Sequence, residues 1–329
     1  MTEAQRLRLT HAAAFAAVYL IWGSTYLAIR FAIETLPGFL MAGVRFVAAG
    51  LALYAIAAWR GAARPTRAQW RSAAIAAAFL FVGGNGGVVF AQHWIPSGLA
   101  ALIVAVEPLW VVVLLTFWGG GSERPSRRTV VALAIGFAGA AILARPQDSI
   151  GLVAGDAGRV PALALAAILV SPLAWAAGSL YARDADMPDN RSLGVAMQMI
   201  AGGVGLVLVG LAAGEAAEVD LAAASGRSLA ALLYLVVFGS IIAFSAYSWL
   251  LRNTRATLVS TYAYVNPVIA VFLGWLLAGE PIGAATVVAT ALIIGAVVLV
   301  GMEARRSRRR LPPTPPAPPA SGGSGSAAP

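Results

Sequence analysis

The side chain best placed to do chemistry is a carboxylate in the middle of an apolar run. Glu107 lies ten residues into the stretch Ser97–Trp118, which at the helical rise puts it about 15 Å deep, near the centre of a bilayer. An ionisable group at that depth is costly and marks a substrate or ion path by default. Asn266 lies equally deep in Ala256–Ala278, approached from the opposite side. Each precedes a proline, Pro108 and Pro267. Proline cannot donate to the carbonyl four residues back, so Val104 and Ala263 keep free acceptors and a kink is expected. Two roles for Glu107 stand open. It is a proton-coupling group or the partner of a cationic substrate, or it is neutral or paired structurally with Arg45, about 10 Å in from the outer surface. Arg45 taken alone reads as a structural charge.

Aromatic and small polar residues fall into stripes at helical spacing. Tyr19, Trp22, Tyr26 and Arg30 share one; Ser171, Trp175 and Ser179 a second; Ser240, Phe244 and Tyr247 a third; Ser260 and Tyr264 a fourth. Such a stripe serves helix contact or a binding wall, and recurrence at matching places brings the two readings level. Asn85 sits in "GGNGG" within an apolar run and needs a hydrogen-bond partner, which assigns it to the same cavity. Gly84 and Gly86 beside it allow close helix contact or act as hinges, as Pro108 and Pro267 can. Trp59, Trp94 and Trp118 end their runs and read as interfacial anchors.

Other chemistries are excluded by composition. There is no cysteine, which removes disulfides, thiolate catalysis and cysteine metal sites. His11 and His93 are too far apart for a relay or a metal site, so no metal, cofactor or catalytic residue is expected.

The elements that hold these residues are apolar. Hydrophobic residues make up 60% of the chain, charged residues 11%, and mean hydropathy is +0.80, against about 25% charge in soluble domains. Ten runs reach or approach the length of a membrane span: Ala12–Ile33, Gly38–Trp59, Ser72–Trp94, Ser97–Trp118, the short Thr129–Ala144, Pro161–Ala182, Ser192–Ala213, Leu229–Leu251, Ala256–Ala278 and Ile282–Met302. The first follows Arg6 and Arg8 as a signal peptide would, yet its counterpart later in the chain argues that it is retained. The runs form a five-helix unit read twice. At an offset of 153 Trp22 falls on Trp175 and "RFVAAG" on "QMIAGG"; at 159 "SGLAALIVAVEP" falls on "ATLVSTYAYVNP". An odd number of spans inverts the second copy, an arrangement used by secondary transporters with a mid-membrane site.

The fold class expected is therefore all-α, a polytopic membrane protein of ten transmembrane helices in two inverted five-helix repeats. Its parts are a cytoplasmic N-terminus (1–11), a first repeat (12–145), a periplasmic linker (146–160), a second repeat (161–303) and a tail (304–329). The tail is basic, then rich in Pro, Gly and Ser and disordered, its arginine run lying against anionic headgroups. All 23 basic residues are arginine; eighteen fall in alternate loops and the termini, and only Arg145, Arg159 and Arg227 in the others. By the positive-inside rule both termini are cytoplasmic, and the net charge of +9 reflects orientation rather than nucleic-acid binding.

The segments "IWGSTYLAIR", "MAGVRFVAAG", "GNGG", "PSGLAALIVAVEP" and "FGSIIAFSAYSWLLRNTRATLVSTYAYVNPVIAVFLGWLLAGE" resemble the EamA-type transporters of the drug/metabolite superfamily, close to the YedA-like branch. The resemblance covers about residues 12–302. It implies two EamA domains, ten helices, cytoplasmic ends, and export of small metabolites, amino acids or drug-like compounds by alternating access in the bacterial inner membrane. It also implies a central cavity at Trp22, Tyr26, Asn85, Glu107, Trp175, Tyr247, Tyr264 and Asn266; Ser179 joins these from its stripe. One departure stands out: Asn266 occupies the place of a second carboxylate, which puts any two-carboxylate mechanism in doubt.

The reading is a secondary exporter, with proton coupling through Glu107 as a hypothesis. A non-transporting scaffold or sensor is an alternative. An integral-membrane enzyme is a third and lacks a catalytic cluster. The partners are a small-molecule substrate and the lipid bilayer, with no nucleic acid. Ten spans can close a pathway in one monomer, so a monomer is the expected functional unit, with a dimer as the alternative. An aromatic cavity with one acid suits amino acids, amines and hydrophobic drugs alike.

Overall fold

The computed structural model describes residues 2–118, 126–143, 160–253 and 262–310. Among these residues every regular element is helical. Helix α1 (residues 3–32) starts from a capping box in which Thr2 and Gln5 bond each other's backbone. It extends nine residues ahead of the apolar run. Helix α2 is Gly38–Trp59. Helix α3 (67–91) opens on a second capping box, Thr66 with Gln69. Helix α4 is broken into Ser97–Val104 and Glu107–Trp118, and α5 is Arg127–Leu143. Then follow α6, Ala162–Asp184; α7, Arg191–Ala212; α8 (226–253); α9, Tyr262–Ala278; and α10, Ala284–Arg310. The last runs on through the basic segment to Arg310. Residues 311–329, the Pro/Gly/Ser part of the tail, lie outside the described residues.

Among the described residues seven segments are long and apolar enough to cross a membrane: Gln5–Ala32, Gly38–Trp59, Arg67–Ala91, Ser97–Phe117, Ala162–Asp184, Arg191–Ala212 and Gly226–Tyr247. Val265–Ala278 and Ala284–Leu299 are shorter apolar helices. Large apolar side chains such as Leu51, Phe117, Leu208 and Trp275 face outward, the pattern expected where the solvent is hydrocarbon.

Helices α2 and α7 cross most closely. A Cβ on Gly43 would come within 2.9 Å of the Gly203 carbonyl, and one on Gly203 within 2.8 Å of the Gly43 carbonyl. Glycine at both places lets the backbones touch, the small-residue contact that replaces hydrophobic driving force in lipid. Around this crossing lies a core holding Phe46, Phe81, Met199 and Leu206. A second core gathers α4, α5 and α10 about Ile103, Leu109 and Ile293.

Three helices widen locally into π-helix: α1 over Ala17–Ile21, α3 over Ala78–Gly86 and α8 over Leu235–Ile242. Helix α6 carries Pro172 at its middle instead. Such distortions expose backbone carbonyls that a regular helix would use internally, and they recur at functional sites.

Candidate functional site

Residues in or close to the distorted stretches, Gly84 and Asn85 in that of α3 and Trp22, Ser171 and Phe244 near the others, line a cavity of about 140 Å³. From the first half of the chain it is lined by Trp22, Thr25 and Tyr26 of α1, Arg45 of α2, Gly84 and Asn85 of α3, and Glu107 with Pro108 of α4. From the second half come Ser171 and Trp175 of α6, Phe244 of α8, and Tyr262, Asn266 and Pro267 of α9.

Several lining side chains are held by hydrogen bonds and ring contacts. The Trp22 indole donates to the carbonyl of Gly239, 3.2 Å away in the π stretch of α8. Around that indole stand Phe244, Tyr247 and Tyr262, with ring centroids at 5.0, 5.1 and 5.3 Å. Thr25 donates back to the carbonyl of Trp22 at 2.7 Å. Ser171, just before Pro172, donates to Ala167 at 2.7 Å. The next residue of the α8 distortion is Ser240, which accepts from Arg45 Nε at 2.9 Å. The Arg45 guanidinium lies 4.5 Å from the centroid of the Phe46 ring.

Among the described residues no ion pair joins Arg45 to Glu107; the only two are Arg183–Asp184 and Arg227–Glu34. The Glu107 carboxylate has no protein hydrogen-bond partner there either, and it lies within electrostatic reach of the Tyr26, Tyr247 and Tyr262 phenols. Asn266 is settled differently. With its amide turned so that nitrogen faces the two carbonyls, it donates to Tyr262 and Tyr19 at 3.2 Å each.

Of the residues named from sequence, Trp22, Tyr26, Arg45, Gly84, Asn85, Glu107, Pro108, Trp175, Asn266 and Pro267 meet at the cavity. Tyr247 stands one layer behind, against Trp22 and Tyr262. Ser179 and Gly86 do not line the wall, and the side chain of Tyr264 lies outside the described residues. Gly84 and Gly86 also have a contact role: a Cβ on the first would come within 3.0 Å of Trp175, on the second within 2.9 Å of Leu206. Trp59 is 86% exposed, as an interfacial anchor should be, and Trp118's side chain is outside the described residues. Sequence reading missed Thr25 and Tyr262. Tyr262 had a signal, since it stands four residues before Asn266 and so on its face.

Chemically the wall offers a carboxylate that can accept from an ammonium group, aromatic faces that attract cations, and a guanidinium with donors left for an anionic group. The family profile of the EamA-like transporter family matches residues 10–145 and 162–302. The chain belongs to the EamA-like transporter family, within the drug/metabolite transporter superfamily. It is 40% identical over 285 residues to "Uncharacterized inner membrane transporter YedA" of Escherichia coli K12, covering 86% of this chain and 88% of the relative. It is 23% identical to "Uncharacterized transporter YvbV" of Bacillus subtilis over 88% of this chain and 90% of the relative, and 25% identical to "Protein PecM" of Dickeya dadantii over 88% and 92%. A solved crystal structure aligns over 90% of this chain and 98% of its own, with a TM-score of 0.59 at 22% identity, a likeness that speaks for the fold. The lining of this family member's cavity draws on both matched regions.

Proposed function

We propose that the protein is a secondary exporter of small amine-bearing metabolites, amino acids among them, working by alternating access in the bacterial inner membrane. Its ten helices form two inverted repeats, 12–145 and 161–303, with both termini cytoplasmic. The observation that carries the reading is the Glu107 carboxylate, which lines a cavity shared by both halves and has no hydrogen-bond or ion-pair partner among the described residues. A carboxylate inside the helix bundle with no partner among the described residues is poised to accept a cation or a proton.

The pairing of helices supports the inverted repeat. Helix α2 meets its counterpart α7, and α5 meets α10. Helix α1 lies against α8 and α9 as α6 lies against α3 and α4. The π stretches of α3 and α8 also correspond, with Gly84 and Asn85 matching Gly239 and Ser240. Arg45 with its spare donors suits the carboxylate of a zwitterion, leaving the ammonium to Glu107.

Reconstituted vesicles test this directly. Efflux of amines and amino acids is expected to rise with an inward proton gradient, and in Glu107→Gln the flux is expected to persist weakly or vanish with no response to that gradient. An unchanged gradient response in Glu107→Gln would remove Glu107 from coupling.

A further inference from the structure

Two helices in the first half begin without a cap of their own. Helices α2 and α4 have proline at the N-cap, Pro37 and Pro96, and no side chain of their own bonds the first turn. Orphan N–H groups at a helix start need an acceptor. Each receives one from the second half. Glu215 accepts from Phe39 N at 2.9 Å and Leu40 N at 2.8 Å. Glu280 accepts from Ser97 N at 2.7 Å, Ser97 Oγ at 2.8 Å and Gly98 N at 2.9 Å.

The two carboxylates are delivered by the same local device. In both, the sequence reads Ala-Gly-Glu, 213–215 and 278–280, where α7 and α9 end. The glycines, Gly214 and Gly279, take φ of 86° and 64°, the left-handed turn that stops a helix and reverses the chain. A glycine one turn earlier clears room for the acid. A Cβ on Gly210 would lie 2.9 Å from the Glu215 carboxylate, and one on Gly274 would run into that of Glu280. Carboxylates on helix N-termini form strong, charge-assisted bonds. Further bonds between the halves gather on the same face: Ser225 N to Thr35 Oγ1 at 3.0 Å and Ser228 Oγ to the Phe31 carbonyl at 2.7 Å.

We propose that Glu215 and Glu280 are twin latches that hold shut the face of the transporter where α2 and α4 begin, and that the segment Ser97–Val104 is the gate that Glu280 retains. That half-helix is bounded by the latch at one end and by the break at Ala105–Val106 at the other, and Glu107 follows the break directly. Occupancy at Glu107 and release of the latch thus act on the two ends of one short rod. The proposal rests on the alternating-access reading and names the device that closes one of its two states.

The absence of native cysteine allows a clean test. Ala101 lines the cavity on the gate helix and is 1% exposed. A single Ala101→Cys, labelled in right-side-out vesicles by a membrane-impermeant thiol reagent, reports opening of that face without any substrate. Glu280→Gln is expected to speed labelling at least about tenfold, the scale of losing hydrogen bonds to a charged group, and Glu215→Gln to add to it. Gly274→Ala keeps the acid and displaces it, and is expected to act in the same direction; it carries the test should Glu280→Gln fail to fold. Labelling within about twofold of the parent in both folded variants would overturn the latch. Normal flux with unchanged labelling sinks the latch alone, whereas faster labelling in a protein that moves no solute sinks the transport reading and leaves the latch standing.

Discussion

Glu107–Pro108 and Asn266–Pro267 occupy matching places in the two halves, yet their helices behave differently. Helix α4 breaks at Ala105–Val106, just before Glu107, while α9 runs unbroken through Pro267. Both prolines remove a backbone donor. The difference lies in what the preceding side chain can do about neighbouring carbonyls. Asn266 has two N–H donors, and they reach Tyr262 one turn back and Tyr19 on α1. That amide pins the turn and ties α9 to the first half. A carboxylate has no N–H to donate, and Glu107 faces the cavity instead. One proline motif thus stands in two settings, beside an amide bonded to two carbonyls on one side and beside a helix break and a cavity-lining carboxylate on the other.

Moving the acid across the axis is the harshest trial of that contrast. Glu107→Asn is expected to weaken binding of cationic substrates about 10- to 100-fold, the range for losing a charged partner, measured by substrate-dependent tryptophan fluorescence. Combining it with Asn266→Glu should recover part of the affinity if the carboxylate matters more than its helix. No recovery would make the hinge, rather than the charge alone, the working part. A smaller effect is expected from Asn266→Asp, which removes both donors while keeping size. It should cost about 1–3 kcal/mol of stability from carbonyls left unsatisfied, read as a lowered melting temperature in detergent. A variant as stable as the parent would mean the amide does not hold α9 together.

Much of this was legible in the sequence because lipid imposes a coarse rule: apolar runs of span length become helices, and polar groups inside them gather where lipid is absent. The repeat offsets paired Glu107 with Asn266 and Trp22 with Trp175, and the family resemblance implied a central cavity at these four positions, which the structure brings together. Finer placement failed where the helix departs from its ordinary period. A π stretch inserts one extra residue per turn, so stripes drawn at 3.6 residues drift across it. Tyr247, beyond the π stretch of α8, accordingly stands behind the wall, whereas Ser179 lies one turn past Trp175 on a helix without a π stretch and falls outside the lining. Nothing in the hydrophobic pattern marks a π stretch in advance. The Glu215 and Glu280 contacts were equally hidden, since they arise where helices end and join residues about 180 positions apart, beyond the reach of any local periodicity.

One substrate site between the two halves is what the proposed transport cycle requires. Single cysteines at Val104 and at Ser171, one from each matched region and both lining the cavity, allow it to be measured in a chain that otherwise has none. A transported solute is expected to protect both positions from thiol labelling with the same half-saturating concentration. Protection at one position only, or at neither while flux continues, would contradict a site shared by the halves.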